Sequence, residues 1–352
     1  MKIAIIAPPW IPVPPTQYGG IETVIHNLVE GLTELGEEVL FFALKDSKVS
    51  CKLYPYLEAY FRFGMDSPPD QKAFVRELAL KYAYARAGYE KVDIIHDHSL
   101  FNSPVNVPTL HTLYSTACEG SIKQLAELST KPKNHFVAIS NKQKERYLTL
   151  HREFDLVDVI YHGINVKAIE WSSKKEDYFL CVGRASSEKG LDVVARVATK
   201  ARIGLIMAIK MVEEEEKQFF KNEIQPWIDK HPKDLFLQIF HEVPRPTLFD
   251  LFKRAKCTLF TSQWEQPFGT VMIESMACGT PVIALRRGAA SEIIVNGKTG
   301  FVVNSEEEMI EAIKKIDQID PADCRRHAEK NFSRERMVKN YLDNYKKILD
   351  GR

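Results

Sequence analysis

The stretch from Ser262 to Ala284, SQWEQPFGTVMIESMACGTPVIA, constrains the fold of this chain more than any other. The apolar run CTLF (Cys257 to Phe260) before it has the length and composition of a buried strand. Pro267, Phe268 and Gly269 then break the chain, and Gly269 permits a backbone that other residues would strain. VMIESMA (Val271 to Ala277) has helical apolar spacing, with Val271, Met272, Ser275 and Met276 able to face inward. Gly279 ends that helix, and a second buried strand starts at Pro281. Strand, loop, helix and strand in this order make one βαβ step, the unit from which parallel sheets are built.

The helix begins just after a glycine-bearing loop at a strand's C-terminal end. Such a start presents unpaired backbone N–H groups and the positive end of the helix dipole, which suits a phosphate. Glu274, farther along the helix, cannot favour that phosphate, but its carboxylate can accept hydrogen bonds from a pair of sugar hydroxyls. A phosphate-binding helix start beside a diol-binding acid describes a nucleotide-sugar site, with Gly269, Thr270 and Glu274 as donor-binding residues. The loop GRASSEKGLD (Gly183 to Asp192), at the end of the strand YFLCVG, adds two cations. Arg184 offers a fork and Lys189 a point charge, and both can converge on a diphosphate. Gly183 and Gly190 let the backbone of that loop approach the same ligand.

Length and charge bound the rest. At 352 residues the chain has room for about two domains, each able to bury its own core. A net charge of +1 supplies no global pull toward nucleic acid. The six cysteines are scattered without a CxxC pair and fall mostly in apolar runs, as reduced core residues of a cytosolic protein do. MKIAIIAPPW is too short in its apolar part for a signal peptide, and no apolar run reaches spanning length. The expected compartment is the cytoplasm.

KIAIIA (Lys2 to Ala7) opens the chain as a buried parallel strand. The loop Pro8 to Gly20 ends in Gly19-Gly20, and a helix follows through Leu35, closed by Gly36. EEVLFFAL is the next strand, completing a Rossmann-like unit without the GxGxxG fingerprint. Lys72 to Lys91 is an amphipathic helix bearing Lys72, Arg76, Lys81, Arg86 and Lys91. It is expected to be a solvated helix face, with peripheral contact to an anionic membrane as the alternative. VDIIHDHS, VPTLHTLYS, HFVAIS and DLVDVIYHGIN (Asp155 to Asn165) are further strands, each ending in polar residues where doubly wound sheets gather ligands. Ser140 and Asn141 cap the helix NKQKERYL. His96, Asp97 and His98 do not form a metal site, because alternate residues of a strand face opposite ways and no third ligand is in evidence. No GxSxG elbow supports a hydrolytic triad.

Asn165 to Asp177 is polar without sustained period and is expected to link the domains. A second alternating series follows: YFLCVG, a helix from Lys189, RIGLIMAI, a long helix to about Lys230, DLFLQIF, the helix PTLFDLFKRA, and then the opening stretch. Glu213 to Glu216 occupies the first turn of the long helix, complements its dipole and is given no function. The tail from Ser333 to Leu349 is a capped amphipathic helix.

With these residues in place a resemblance emerges. Ser262 to Ala284 resembles the signature of retaining GT-B glycosyltransferases of the family 4 type, in which two Glu flank seven residues around a Phe-Gly. Glu274 matches the second Glu, Gln266 stands at the first, and Glu265 sits one residue too early. The spacing GRxxxxKG, roughly eighty residues upstream, is also that family's arrangement. The resemblance covers nearly the whole chain. It implies two Rossmann-like α/β domains whose parallel sheets face a central cleft, with residues 1–167 on the acceptor side and 168–332 holding the donor. It further implies a final helix, 333–352, that crosses back to the first domain.

By the same resemblance, Gly19 and Gly20 approach the donor's phosphates, His111 reaches the transferred sugar, and His98 lies on the acceptor side. HGIN (His162 to Asn165) resembles a family turn, and HEVPRPTL (His241 to Leu248) corresponds to the loop around the base. The implied activity is transfer of a hexose from a nucleoside diphosphate sugar, a UDP-sugar, with retention and without metal or other cofactor. Arg184, Lys189, Gln266 and His111 are the residues implied in catalysis. The acceptor, whether sugar, lipid or small molecule, is unassigned. An epimerase of the same fold and a catalytically weak nucleotide-sugar-binding protein are the alternatives, and Gln266 is the feature that keeps the second in play.

Overall fold

Short runs of branched residues become strands here because both faces of each run are buried, which a parallel sheet flanked by helices provides. The computed structural model describes residues 1–15, 19–57, 68–102, 105–150, 156–211 and 213–351. Residues 16–18 of the loop Pro8 to Gly20, and Asp155 at the head of the expected strand to Asn165, lie outside the described residues. The chain divides into two units, Met1–Gly163 with Arg334–Arg352, and Ile164–Ser333.

The first unit runs β1 (Lys2–Ile6), α1 (Gly20–Glu34), β2 (Glu38–Leu44), β3 (Lys52–Leu57), α2 (Pro69–Tyr89) and β4 (Ile94–Asp97). It continues through β5 (Thr109–Thr112), α3 (Glu119–Ser129), β6 (Asn134–Ala138), α4 (Asn141–Leu150) and β7 (Leu156–Val159). Its seven strands lie in the order β3-β2-β1-β4-β5-β6-β7 and pair in parallel throughout. β3 carries Pro55, which removes a ladder donor and hides the strand from a sequence reading; the strand tolerates it by lying at the sheet edge.

α2 differs from the expected solvated face. Its buried side holds Val75, Ala79, Leu80, Ala83, Tyr84 and Ala87, while Phe74, Leu78, Tyr82 and Tyr89 stand exposed. The helix is therefore apolar on both sides, with its basic residues interspersed. No described helix is long and apolar enough to cross a membrane.

The second unit runs β8 (Phe179–Arg184), α5 (Leu191–Ala201), β9 (Leu205–Lys210), α6 (Glu214–Phe219), α7 (Gln225–Asp229), β10 (Leu237–His241) and α8 (Arg245–Arg254). A π-helical segment, Phe220–Ile224, joins α6 to α7. Then come β11 (Cys257–Phe260), α9 (Thr270–Ala277), β12 (Val282–Leu285), α10 (Ala290–Ile293), β13 (Gly300–Val303), α11 (Glu306–Ile313) and α12 (Pro321–Asn331). Its six parallel strands lie in the order β10-β9-β8-β11-β12-β13. Both sheets thus begin in the middle, run to one edge, and then restart on the other side of the first strand. That reversal falls between β1 and β4 in one unit and between β8 and β11 in the other, the switch point where such sheets open a crevice for ligands.

The polar run Asn165 to Asp177 lies within the second unit and is tied down along its length. Ser172 N donates to Cys278 O at 3.3 Å, and Lys175 Nζ donates to Thr280 Oγ1 at 2.7 Å. α13 (Arg334–Leu349) belongs to the first unit and packs against α1. Its Met337, Val338, Tyr341, Leu342, Tyr345 and Ile348 share one core with Leu28, Val29 and Leu32.

Candidate functional site

In the second unit the two loops singled out by sequence leave β8 and β11, the neighbours that flank the switch point. Hydrogen bonds to the backbone of the first loop tie them together. Gln263 N donates to Glu188 O at 2.8 Å, and Thr261 Oγ1 donates to Gly190 O at 2.9 Å and Lys189 O at 3.1 Å. Gly190 makes this approach feasible. It sits at φ +66°, and a Cβ there would lie 2.3 Å from Thr261 O.

Across that junction Lys189 Nζ donates to Gln266 Oε1 at 2.9 Å, so the expected cation and the departing residue of the signature meet directly. Lys189 also lies over the Trp264 ring at 5.6 Å. Burial pushes the Lys189 ammonium down to about 8, with the nearby Arg184 guanidinium adding to the effect. Arg184 is held at 3.4 Å by Glu216 and at 3.6 Å by Glu188. Glu216 corrects the reading of the acidic run Glu213 to Glu216 as functionless. The run does open α6, where Glu213 and Glu216 form a capping box, but the buried Glu216 carboxylate also braces Arg184.

The neighbouring acid explains the signature's displaced Glu. Glu265 Oε2 accepts from Gly288 N at 2.8 Å, and Ala289 N donates to Gln266 O at 3.1 Å. Glu265 therefore fastens its loop to the one after β12, while Gln266 turns to Lys189. Gly269 caps α9 as a buried residue, and a side chain there would meet Met272 Cε at 2.5 Å. Thr270 is the first helical residue and half-buried. Glu274 lies on the buried side of α9, not on its solvent face, and accepts from Arg245 Nη2 at 2.7 Å. Arg245 was missed by the sequence reading, although it lies within the loop matched to the base. Gly183 lies beside the Lys189 stem, with a Cβ there 3.6 Å from Lys189 Cγ.

The first unit gathers a different set at its own switch point. β4 and β5 pair in parallel with Asp97 opposite His111, and His111 Nδ1 lies 3.2 Å from Asp97 Oδ2, both side chains fully buried. Asp97 also accepts from Ser99 N at 2.7 Å, Phe101 N at 2.8 Å and the Tyr84 hydroxyl at 3.0 Å. Burial pushes the Asp97 carboxyl up, but His111 and the two backbone donors outweigh it and hold it below the usual carboxylate range. His96, on β4, and His98, just past its end, have ring centroids 4.0 Å apart with their planes tilted by 37°. His96 bonds Tyr345 and Thr112, and His98 Nδ1 lies 2.7 Å from the Tyr114 hydroxyl. Burial drives His98 down to about 3, so it is a neutral ring. Nε2 of His98 and Nε2 of His111 find no hydrogen-bond partner among the described residues. Gly19 caps α1, where a Cβ would meet Pro15 Cβ at 2.6 Å, whereas nothing lies within 4 Å of one at Gly20.

Two doubly wound parallel α/β units in one chain are the architecture of the GT-B class of glycosyltransferases. The comparisons with known proteins agree. Residues 165–332 match the model of glycosyl transferases group 1, and residues 18–168 match that of glycosyltransferase family 4. The chain belongs to the group 1 glycosyltransferases, and glycosyl transfer is its class of activity. It is 23% identical to spore coat protein SA of Bacillus subtilis, over 99% of this chain and 100% of that one. It is 27% identical to a probable sucrose-phosphate synthase of Thermosipho melanesiensis, over 63% of this chain and 57% of the relative. Among solved structures it resembles sucrose-phosphate synthase from Thermosynechococcus elongatus, with a TM-score of 0.79, 20% identity and full coverage of both chains. It also resembles Anabaena Alr3699/HepE in complex with UDP-glucose, with a TM-score of 0.75, 16% identity and coverage of 98% and 99%.

Proposed function

We propose that this chain transfers a hexose from a UDP-sugar to a hydroxyl acceptor, with retention of anomeric configuration and without a metal ion. The observation that carries the reading is the junction of the β8 and β11 loops, where Lys189 and Gln266 meet at 2.9 Å and Arg184 leaves the same strand end. As the bond between sugar and diphosphate breaks, negative charge builds on the leaving group. Two fixed cations and the N–H groups at the start of α9 oppose that charge without reorganisation. Arg184 and Lys189 supply the positive charge that a divalent ion supplies elsewhere. Gln266 offers the sugar a neutral amide with one acceptor oxygen and two donor hydrogens. Glu274 receives the ribose hydroxyls. Of the first unit's residues, His111 is proposed to serve the transferred sugar and His98 the acceptor. Retention and the UDP donor rest on the resemblance of the signature, and the Anabaena relative's complex with UDP-glucose favours the same donor class.

The test is a thermal-shift series with UDP and UDP-sugars in the presence of EDTA, followed by product detection with candidate acceptors. At a ligand concentration about 100 times Kd the protein should gain roughly 2.7 kcal/mol. Persistence of that shift under EDTA, with sugar transferred only when an acceptor is added, is the expected result. Binding lost to EDTA and restored by magnesium or manganese would overturn the metal-free reading.

A further inference from the structure

We propose that Arg245 is a positioning residue for the nucleotide, holding the Glu274 carboxylate oriented for the ribose hydroxyls. This rests on the donor reading given above. The two residues come from different elements: Glu274 from the middle of α9, and Arg245 from the first position of α8, just after Pro244 has fixed the chain's entry. They meet at 2.7 Å, and among the described residues Arg245 is the one partner of that carboxylate.

The asymmetry of the pair is informative. Glu274 retains only 6% of its side-chain exposure, whereas Arg245 keeps 31%. A carboxylate so far from water is costly unless a cation and hydrogen bonds accompany it. Arg245 engages Oε1 alone. Oε2 and the free lone pairs of Oε1 stay available, which is the acceptor capacity that two vicinal hydroxyls require. The guanidinium is itself held, lying 5.1 Å from the centre of the Phe249 ring one turn along α8. Oε2 has no protein partner among the described residues and is not one of the buried oxygens sealed from solvent, and an ion pair built only to join α8 to α9 needs no such open oxygen. A site awaiting a diol requires it.

The experiment compares UDP and GDP, each with its 2′-deoxy counterpart, on the full chain and on Arg245→Gln, Arg245→Lys and Glu274→Gln by calorimetric titration. The unmodified protein should prefer the ribonucleotide over its 2′-deoxy form by about tenfold, the scale of one hydrogen bond to a charged group. In Arg245→Gln and Glu274→Gln that preference should shrink to within about twofold, because the deoxy ligand never used the contact. Arg245→Lys keeps the charge without the fork and should fall between, which also serves if the Gln variant folds poorly. A ribose preference unchanged in the Arg245 variants while their melting temperatures fall would show a plain strut between helices and overturn the proposal. Nucleotide binding without any ribose preference in the unmodified protein would also overturn it, together with the role given to Glu274, while leaving the diphosphate site of Arg184 and Lys189 standing. Failure of the unmodified protein to bind either diphosphate would overturn both.

Discussion

At the scale of single residues, Lys189 is the group whose chemistry is most exposed to measurement. Its ammonium is pushed down to about 8 by burial and by Arg184. Because the folded value lies below the unfolded one, the unfolded chain binds more protons between about pH 8 and 10.5, so this group's contribution to stability rises with pH in that window. Donor affinity should move the opposite way, since only the ammonium form attracts a diphosphate. Kd for UDP should therefore weaken as pH rises through 8, and Lys189→Met should bind more weakly at pH 7 and lose that dependence. Gln266→Glu places a carboxylate at the acceptor end of the 2.9 Å contact and should raise the Lys189 value, moving the midpoint of the profile upward. On the proposed role of Gln266 at the sugar, it should also alter the ranking of UDP-sugars by kcat/KM, because a charged acceptor replaces a neutral amide. Titrations across pH 7 to 10 on the three proteins check both; an unmoved midpoint in Gln266→Glu would mean that Lys189 does not sense that side chain.

At the scale of elements, the sequence disclosed what periodicity and spacing encode. The apolar runs of β1, β8, β11 and β12 and the breaks at Gly269 and Gly279 were legible because burial and backbone freedom leave a local mark. Arg184, Lys189 and Glu274 stood out as candidates through their place in that pattern, and the fold puts Arg184 and Lys189 at one strand end. Glu216 and Arg245 were not, since Glu216 reaches Arg184 from the first turn of α6, after β9, the strand beside β8, and Arg245 reaches Glu274 because α8 packs against α9. The same holds for Gly31 toward the C-terminal end of α1, which as sequence is only a weak helix former. In the fold a Cβ there would sit 2.5 Å from Val338 Cγ2 of α13. Gly31→Ala gains about 1 kcal/mol of helix propensity, yet the rigid branched side chain opposite cannot yield that space cheaply. The variant should unfold at lower urea, and adding Val338→Ala should recover part of the loss, a coupling on the order of 1 kcal/mol. Additive costs in the double variant would show that the two helices do not meet at this point.

At the scale of the whole molecule, the first unit is discontinuous: the chain leaves it after Gly163, builds the second unit, and re-enters it at Arg334. The returning helix is not an ornament on a finished core. Met337, Val338, Tyr341, Leu342, Tyr345 and Ile348 are buried in the cluster formed by β1, β2 and α1. The Tyr345 hydroxyl lies 2.7 Å from His96 Nδ1 and the Tyr341 hydroxyl 3.1 Å from Thr112 Oγ1, so α13 also satisfies polar groups on β4 and β5. Six apolar side chains at about 1.5–3 kcal/mol each amount to a total on the order of 10 kcal/mol, comparable to the entire stability of a domain. Among the described residues, no member of that cluster belongs to the second unit, Ile164–Ser333. A chain ending at Ser333 should therefore lose the first sheet while keeping the second. Hydrogen exchange resolved by peptide checks this: amides of β1, β4 and β5 should exchange freely, while those of β8, β11 and β12 stay protected. The full-length chain should show protection in both sheets. Native protection of β1 and β4 in the shortened chain would mean that the first unit's core closes without α13, and the energy assigned to the returning helix would then be wrong.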